Sequence, residues 1–226
     1  MSAPILQKVA PPALPQAREQ YDRPYQDQLN NVQRLFYNRL TQSFNSLISP
    51  PLPDIAPGGS NLYFPYAAIQ RTTDKTFTAN TATQITFDTN DFLSGCTNDG
   101  TDGIAVAQAG VYNYQFSVQF ANTDSQIHAA WIWLRVNGVD VAGTGSRFDV
   151  PNKHGSSDGY LIAACNFYVQ LAADDTVEMW AAVSQAYNPV TPTDGVYMEA
   201  YPVQTTPFAM PSIPSVVATL TFVSAV

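Results

Sequence analysis

The chain has few groups that could ligate a metal or carry a proton, and their spacing argues against both. His128 and His154 share no short-range motif with each other or with Cys96 and Cys165, as a zinc site would require. His128 precedes a strand and His154 lies in the turn-like Pro151-Asn-Lys-His-Gly155, so both read as surface or loop histidines. The segment Asn98-Asp-Gly-Thr-Asp-Gly103 offers Asp99 and Asp102 to calcium, but it lacks the spacing and closing glutamate of an EF-hand. Asp-Gly pairs also build ordinary turns, and the sequence leaves calcium and turn both open for loop 98–103. Asp174-Asp175 reads as a hairpin turn and not as an acid/base pair, because nothing nearby would separate the two pKa values. There is no phosphate loop and no spaced carboxylate pair for glycan cleavage. The expectation is a protein with no catalytic residue, metal or cofactor, which is not an enzyme.

The chemistry that remains is recognition by aromatic rings. In Ala130-Trp131-Ile132-Trp133-Leu134-Arg135-Val136, period-2 alternation puts Ile132, Leu134 and Val136 on one face and Trp131, Trp133 and Arg135 on the other. Val177-Glu178-Met179-Trp180-Ala181-Ala182-Val183 repeats the pattern, with Trp180 beside Glu178 on the charged face. All three tryptophans therefore fall outside the strand core. Large aromatics left there mark a second buried surface, either an interface with copies of the chain or a further layer of the same domain. The interface reading makes Trp131, Trp133 and Trp180 the contact residues.

These strands belong to a chain of 226 residues, long enough for one substantial core and an appendage. Aromatics are 12% and charged residues only 12%, the opposite of a disorder signature. Net charge is -8 with no basic stripe, which excludes phosphate neutralisation and hence nucleic acid as a partner. No run approaches the roughly 20 apolar residues of a membrane span. Pro4, Pro11, Pro12 and Pro15 break up any secretory h-region near the N-terminus, so use without classical export and two free thiols are expected.

Four segments follow from the pattern. Residues 1–20 form a Pro-rich extended arm whose Ile5, Leu6, Val9 and Leu14 cannot make a core of their own and are available to a partner. Residues 21–49 hold an amphipathic helix, Asp22 to Ile48, with Asp22 as N-cap and Pro24 in the first turn. Its stripe is Tyr25, Leu29, Val32, Phe36, Leu40, Phe44 and Leu47, widened by Leu35 and Tyr37 and flanked by uncharged Gln and Asn. That stripe needs a surface, either the β-domain or other copies in a short bundle. Residues 50–60 are a Pro/Gly linker. Residues 61–226 read as strand after strand: Ala67–Arg71, Thr83–Phe87, Val111–Phe120, Ala130–Val136, Gly159–Leu171, Thr176–Val183, Tyr197–Tyr201 and Val216–Val223. Turns are marked by Gly110, Asn137-Gly138, Ala173-Asp174-Asp175 and Asp194-Gly195. Cys165 takes an inward strand position and Cys96 a turn-rich one. The whole is expected to be mainly β, a sandwich or jelly roll.

Gly110-Val-Tyr-Asn-Tyr-Gln-Phe-Ser-Val-Gln-Phe120 resembles the Gly-x-Tyr-x-Phe central strand of C1q/tumour-necrosis-factor-like domains. Ile132-Trp-Leu-Arg-Val-Asn-Gly138 is similar to that family's next strand and turn. Asn166 to Trp180 resembles its Leu-x-x-Gly-Asp-x-Val hairpin, with Ala173 in place of the usual glycine, and Thr219-Leu-Thr-Phe-Val223 resembles its closing strand. The resemblance covers roughly residues 64–226 and implies a C1q/TNF-like jelly-roll sandwich that forms a homotrimer. A Pro-rich arm, a Gln/Asn-rich helix and such a head together resemble virion proteins of tailed phages, especially those of cyanobacteria. What that implies is a virion structural protein assembled in the host cytoplasm. It would be a trimeric capsid decoration whose arm and helix dock on the major capsid protein or another virion protein. The alternative is the tip of a tail fibre that contacts a host surface receptor. A helix of about 27 residues spans only about 40 Å, short for a fibre shaft.

Overall fold

A computed structural model describes residues 23–48, 64–98, 103–191 and 193–225, with side chains of 43–48 excepted. Contacts divide the chain between Tyr63 and Phe64. In the first part, helix α1 runs Arg23–Ile48 with Pro24 in its first turn, where the missing N–H costs no hydrogen bond. The expected N-cap, Asp22, lies outside the described residues, as do the arm residues Ile5, Leu6, Val9 and Leu14 and the linker.

The second part is built of strands β1 Tyr66–Arg71, β2 Thr83–Ile85, β3 Thr89–Ser94, β4 Cys96–Thr97, β5 Ile104–Val106, β6 Gly110–Asn122 and β7 His128–Val136. These continue with β8 Val139–Asp140, β9 Ser146–Val150, β10 Gly159–Leu171, β11 Thr176–Val183, β12 Val196–Met198 and β13 Val216–Ser224. They form two antiparallel sheets. The first has the order β10-β6-β13-β1-β3, with β12 also on β6; the second has the order β4-β5-β11-β7-β8, with β2 on β11 and β9 on β7. The chain crosses repeatedly between the sheets, and the first and last strands pair with each other. This is a jelly-roll sandwich preceded by one helix, the architecture that the sequence led us to expect.

The inner faces follow the alternation read from the sequence. Tyr112, Tyr114, Phe116, Val118 and Phe120 of β6 are all buried, facing Ile132 and Leu134 of β7 and Val177, Met179, Ala181 and Val183 of β11. Gly110 opens β6 because a Cβ there would collide with the Phe222 ring and the Ser224 carbonyl oxygen at the end of β13. Asn137 and Gly138 both have positive φ (51° and 78°), which two-residue hairpin turns of the primed type require. In the β10–β11 turn the left-handed position is occupied by Asp174 (φ 69°). Ala173, which stands at the family's glycine, therefore needs no special conformation. Asp175 Oδ2 accepts from the Ala172 N–H at 2.8 Å, so Asp174-Asp175 is a turn device.

Several expectations are corrected. Cys96 lies in β4 and not in a turn, and its thiol is buried in the core, where burial pushes it up to about 12. Cys96 and Cys165 are both free, as expected. The strand expected over Tyr197–Tyr201 is Val196–Met198, because the Ala200 N–H turns away to Asp74 Oδ1 at 2.8 Å. Strand β2 ends at Ile85, although Phe87 stays buried. Strands β3, β4, β5, β8 and β9 carry no sequence signal of their own. They are short or rich in Asp, Asn and Ser, and pairing with a longer neighbour creates them.

Candidate functional site

The two sheets turn opposite kinds of surface outward. On the second sheet, the outward positions of β7 and β11 meet in register: Trp133 opposite Trp180, Arg135 opposite Glu178, and Trp131 opposite the small Ala182. Arg147 of β9 lies across from Trp131, and Asp140 of β8 across from Arg135. The structure thus brings all three predicted tryptophans together on one face, each half-buried.

That face is held by its own bonds. The Trp133 Nε1–H donates to Asp140 Oδ1 at 2.7 Å, and Arg135 Nε donates to the same oxygen at 2.6 Å. These two bonds hold the Asp140 carboxyl below its ordinary value, that from Arg135 contributing most. The Trp180 Nε1–H donates to Glu178 Oε2 at 2.7 Å, while Glu178 Oε1 accepts from the Gly138 N–H at 2.8 Å. Glu178 is 9% exposed, a carboxylate that pins an indole to the Asn137-Gly138 turn. The Arg135 guanidinium lies 3.9 Å from the centroid of Trp180 and 5.9 Å from that of Trp133, and Arg147 lies 5.9 Å from Trp131. The indole N–H groups of Trp133 and Trp180, and a cation against each ring, are therefore supplied from within the chain.

The outer face of the first sheet is different. On β10, Tyr160, Ile162, Ala164, Asn166, Tyr168 and Gln170 point away from the core, and register extends the rows across β6, β13 and β1. One row reads Tyr168, Asn113, Thr221, Tyr66; the next reads Asn166, Gln115, Thr219, Ala68; a third reads Ala164, Ser117, Val217, Gln70. No outward position on these four strands is charged. Tyr66, Tyr160, Ile162 and Tyr168 are 45, 53, 67 and 67% exposed. Amid them the Asn113 Oδ1 is shielded and accepts no hydrogen bond. Strand β10 is also an edge of its sheet, 13 residues long without a charge or a proline, which are the usual guards of an exposed edge. The sequence reading passed over this face, and its signal was the missing charge in Gly159–Leu171.

Neither histidine joins a cluster. His128 Nε2 lies 2.8 Å from Asp124 Oδ2, a bond that lowers the Asp124 carboxyl, and His154 bridges Ser157 in a turn. Among the described residues no group of three or more His, Cys, Asp or Glu side chains is placed to hold a metal ion. Asp99 and Asp102 lie outside them. No described helix is long and apolar enough to cross a membrane.

No protein-family profile matches the chain, and no curated protein sequence is similar to it. Among solved structures, the chain is similar to murine APRIL in a crystal structure at pH 5.0, at 11% identity and TM-score 0.44, covering 71% of this chain and 100% of that one. It is also similar to the globular domain of the zebrafish complement 1qA protein, at 11% identity and TM-score 0.41, covering 72% and 99%.

Proposed function

We propose that the chain is a homotrimeric structural protein of a tailed-phage virion, a capsid decoration of cement or head-fibre type anchored by its N-terminal arm and helix. The observation that carries the assembly is the uncharged outer face of β10, β6, β13 and β1. Four strands about 4.8 Å apart, from about 20 Å long in β1 to about 44 Å in β6 and β10, make a face of roughly 650 Å². That is most of the about 800 Å² each partner contributes to a standard interface. A face of aromatic, aliphatic and amide side chains is complementary to a copy of itself, whereas a charged face would need an opposite partner. We place the contact between copies there and not on Trp131, Trp133 and Trp180, whose ladder is bonded within the chain.

The virion assignment is supported by the order of segments: a Pro-rich arm, a helix, a Pro/Gly linker and a jelly-roll head. Ile5, Leu6, Val9 and Leu14 supply the arm with apolar side chains, and its prolines limit the entropy lost on docking. Three arms per trimer add avidity at a threefold site on the major capsid protein or another virion protein. A second reading, the tip of a tail fibre, is favoured by the tryptophan–arginine face, which stays outward when the other sheet is covered and is then open to a host receptor.

Quantitative mass spectrometry of purified particles separates these readings. Hundreds of copies per virion are expected for a decoration, and tens would assign the chain to fibres. Deleting residues 1–20 is expected to remove the protein from particles while the trimer persists. Normal occupancy of the deleted form would place the anchor in the helix or head.

A further inference from the structure

Asn137-Gly138 is the one Asn-Gly pair of the chain, and this dipeptide carries a chemistry of its own. With no Cβ to shield it, the glycine nitrogen can attack the side-chain carbonyl of the asparagine before it. Gly138 N would give up its proton and bond to Asn137 Cγ. The Cγ–Nδ2 bond would then break, with Nδ2 taking up the proton and leaving as ammonia. Water opens the resulting five-membered succinimide at either carbonyl, which leaves aspartate or isoaspartate. Both residues are exposed in the turn between β7 and β8, so water is at hand.

In the folded head each reacting group is already engaged. The Gly138 N–H donates to Glu178 Oε1 at 2.8 Å. That carboxylate is fixed in turn, since its Oε2 accepts from the Trp180 Nε1–H at 2.7 Å and the residue is largely buried. The Asn137 side chain is tied to the neighbouring β10–β11 turn. Its Nδ2 donates to Asp175 Oδ1 at 2.8 Å, and its Oδ1 accepts from the Thr176 N–H at 2.9 Å. The Asn137 N–H donates to the Thr176 carbonyl, also at 2.9 Å.

We propose that Asn137 is a latent deamidation site, held shut in the folded head by Glu178 and the β10–β11 turn. Attack needs a deprotonated Gly138 nitrogen, and an amide anion beside a fixed carboxylate meets like-charge repulsion. A carboxylate is far too weak a base to take an amide proton, so Glu178 opposes the reaction and does not assist it. The electron pair left by that proton would also point at Glu178 Oε1 and not at Asn137 Cγ. Turning Cγ towards the nitrogen breaks both side-chain bonds of Asn137, so the reaction has to wait for a local opening of the turn. The lock guards more than one amide. An aspartate at position 137 would set a second carboxylate against Asp175, and isoaspartate would add a main-chain carbon to a two-residue turn. Either product loosens the turn that holds Glu178 and, through it, Trp180. All these groups lie within one chain, so the proposal does not depend on the trimeric reading.

Peptide mapping by mass spectrometry tests this. Trypsin releases residues 136–147, in which Asn137 is the only Asn or Gln, so conversion of its amide to an acid is read directly. The full-length chain and a synthetic peptide of residues 136–147 are aged side by side in warm, mildly alkaline buffer. Asn137 is expected to convert at least about tenfold more slowly in the folded chain, a barrier difference of about 1.4 kcal/mol or more. Glu178→Gln removes the charge, and its single oxygen serves only one of the two donors; Glu178→Ala removes both bonds. The expected order of rates is parent, then Glu178→Gln, then Glu178→Ala, with thermal melts confirming that each variant is folded at the ageing temperature. Equal rates in folded chain and peptide overturn the latent site, and that comparison needs no variant to fold. Folded variants that convert at the parent's rate, or more slowly, overturn the role of Glu178; a slower rate would make its carboxylate a promoter of the reaction.

Discussion

Two tyrosines of β6, two residues apart on the same inner face, make opposite use of their hydroxyls. Tyr112 Oη donates to the Gln108 carbonyl at 2.6 Å, whereas Tyr114 Oη is buried with no partner, and burial raises its pKa. An unsatisfied buried hydroxyl costs about 1–3 kcal/mol, while a satisfied one contributes about 1 kcal/mol. Tyr114→Phe is therefore expected to raise stability by about 1 kcal/mol and Tyr112→Phe to lower it by a similar amount, read from urea unfolding midpoints. A clear loss in Tyr114→Phe would reveal a bound water at that hydroxyl. On the outer face, the bonds from Arg135 and Trp133 lower the Asp140 pKa in the folded state relative to the unfolded chain. The stabilisation they give is complete above the ordinary Asp value of 3.8 and is lost as pH falls through the folded-state value. Tryptophan fluorescence is expected to show a transition on acidification below that value, and Asp140→Asn is expected to abolish it. A transition unchanged in Asp140→Asn would assign it to another carboxylate.

At the scale of the element, β6 is the strand on which the head is built. It pairs with β10 along its whole length, with β13 on the other side and with β12 near its end. Its first residue has to be glycine for a steric reason, the approach of Phe222 and the Ser224 carbonyl. Gly110→Ala must push the closing end of β13 away from the sheet, and the expected loss is about 1–3 kcal/mol, the usual cost of overpacking. Thermal melts check this, and a change under about 0.5 kcal/mol would mean that the end of β13 yields freely. Strand β10 shows the other lesson of this scale. Its inward positions pack on the core, but its outward positions and free edge lack the charges by which exposed strands avoid pairing.

Across the whole molecule, charge is distributed by face. Arg135, Arg147, Asp140, Asp149 and Glu178 gather on the tryptophan face, and the outward positions of β10, β6, β13 and β1 hold none. An assembly through an uncharged face draws on apolar burial, so the trimer is expected to persist in 1 M salt, where the screening length is only about 3 Å. Ile162→Arg, at a position 67% exposed in the single chain, is expected to leave the head folded. Three guanidinium groups buried without partners would nevertheless split the trimer. Light scattering should then report 24.6 kDa for the variant and three times that for the parent. A trimeric Ile162→Arg would move the contact to another surface.

Local periodicity determined much of this. The alternation in Val111–Phe120, Ala130–Val136 and Thr176–Val183 was enough to sort core residues from outward ones, because a strand's two faces are set by the pleat alone. The helix ending before Pro50 and the Asn137-Gly138 turn were legible for similar reasons, since both depend on backbone restrictions of a few adjacent residues. Only the tertiary structure decided what the outward residues meet. The sequence leaves Trp133 and Trp180 as exposed rings far apart in the chain, while the β7–β11 register makes them neighbours and slides Arg135 between them. Likewise Thr89–Ser94 and Ser146–Val150 become strands only because β1 and β7 present free edges to them. The uncharged face is spread over four segments between Tyr66 and Ser224, and no window of the sequence contains it. It exists because non-local pairing sets those segments side by side, and register, which propensity does not encode, decides which side chains share a surface.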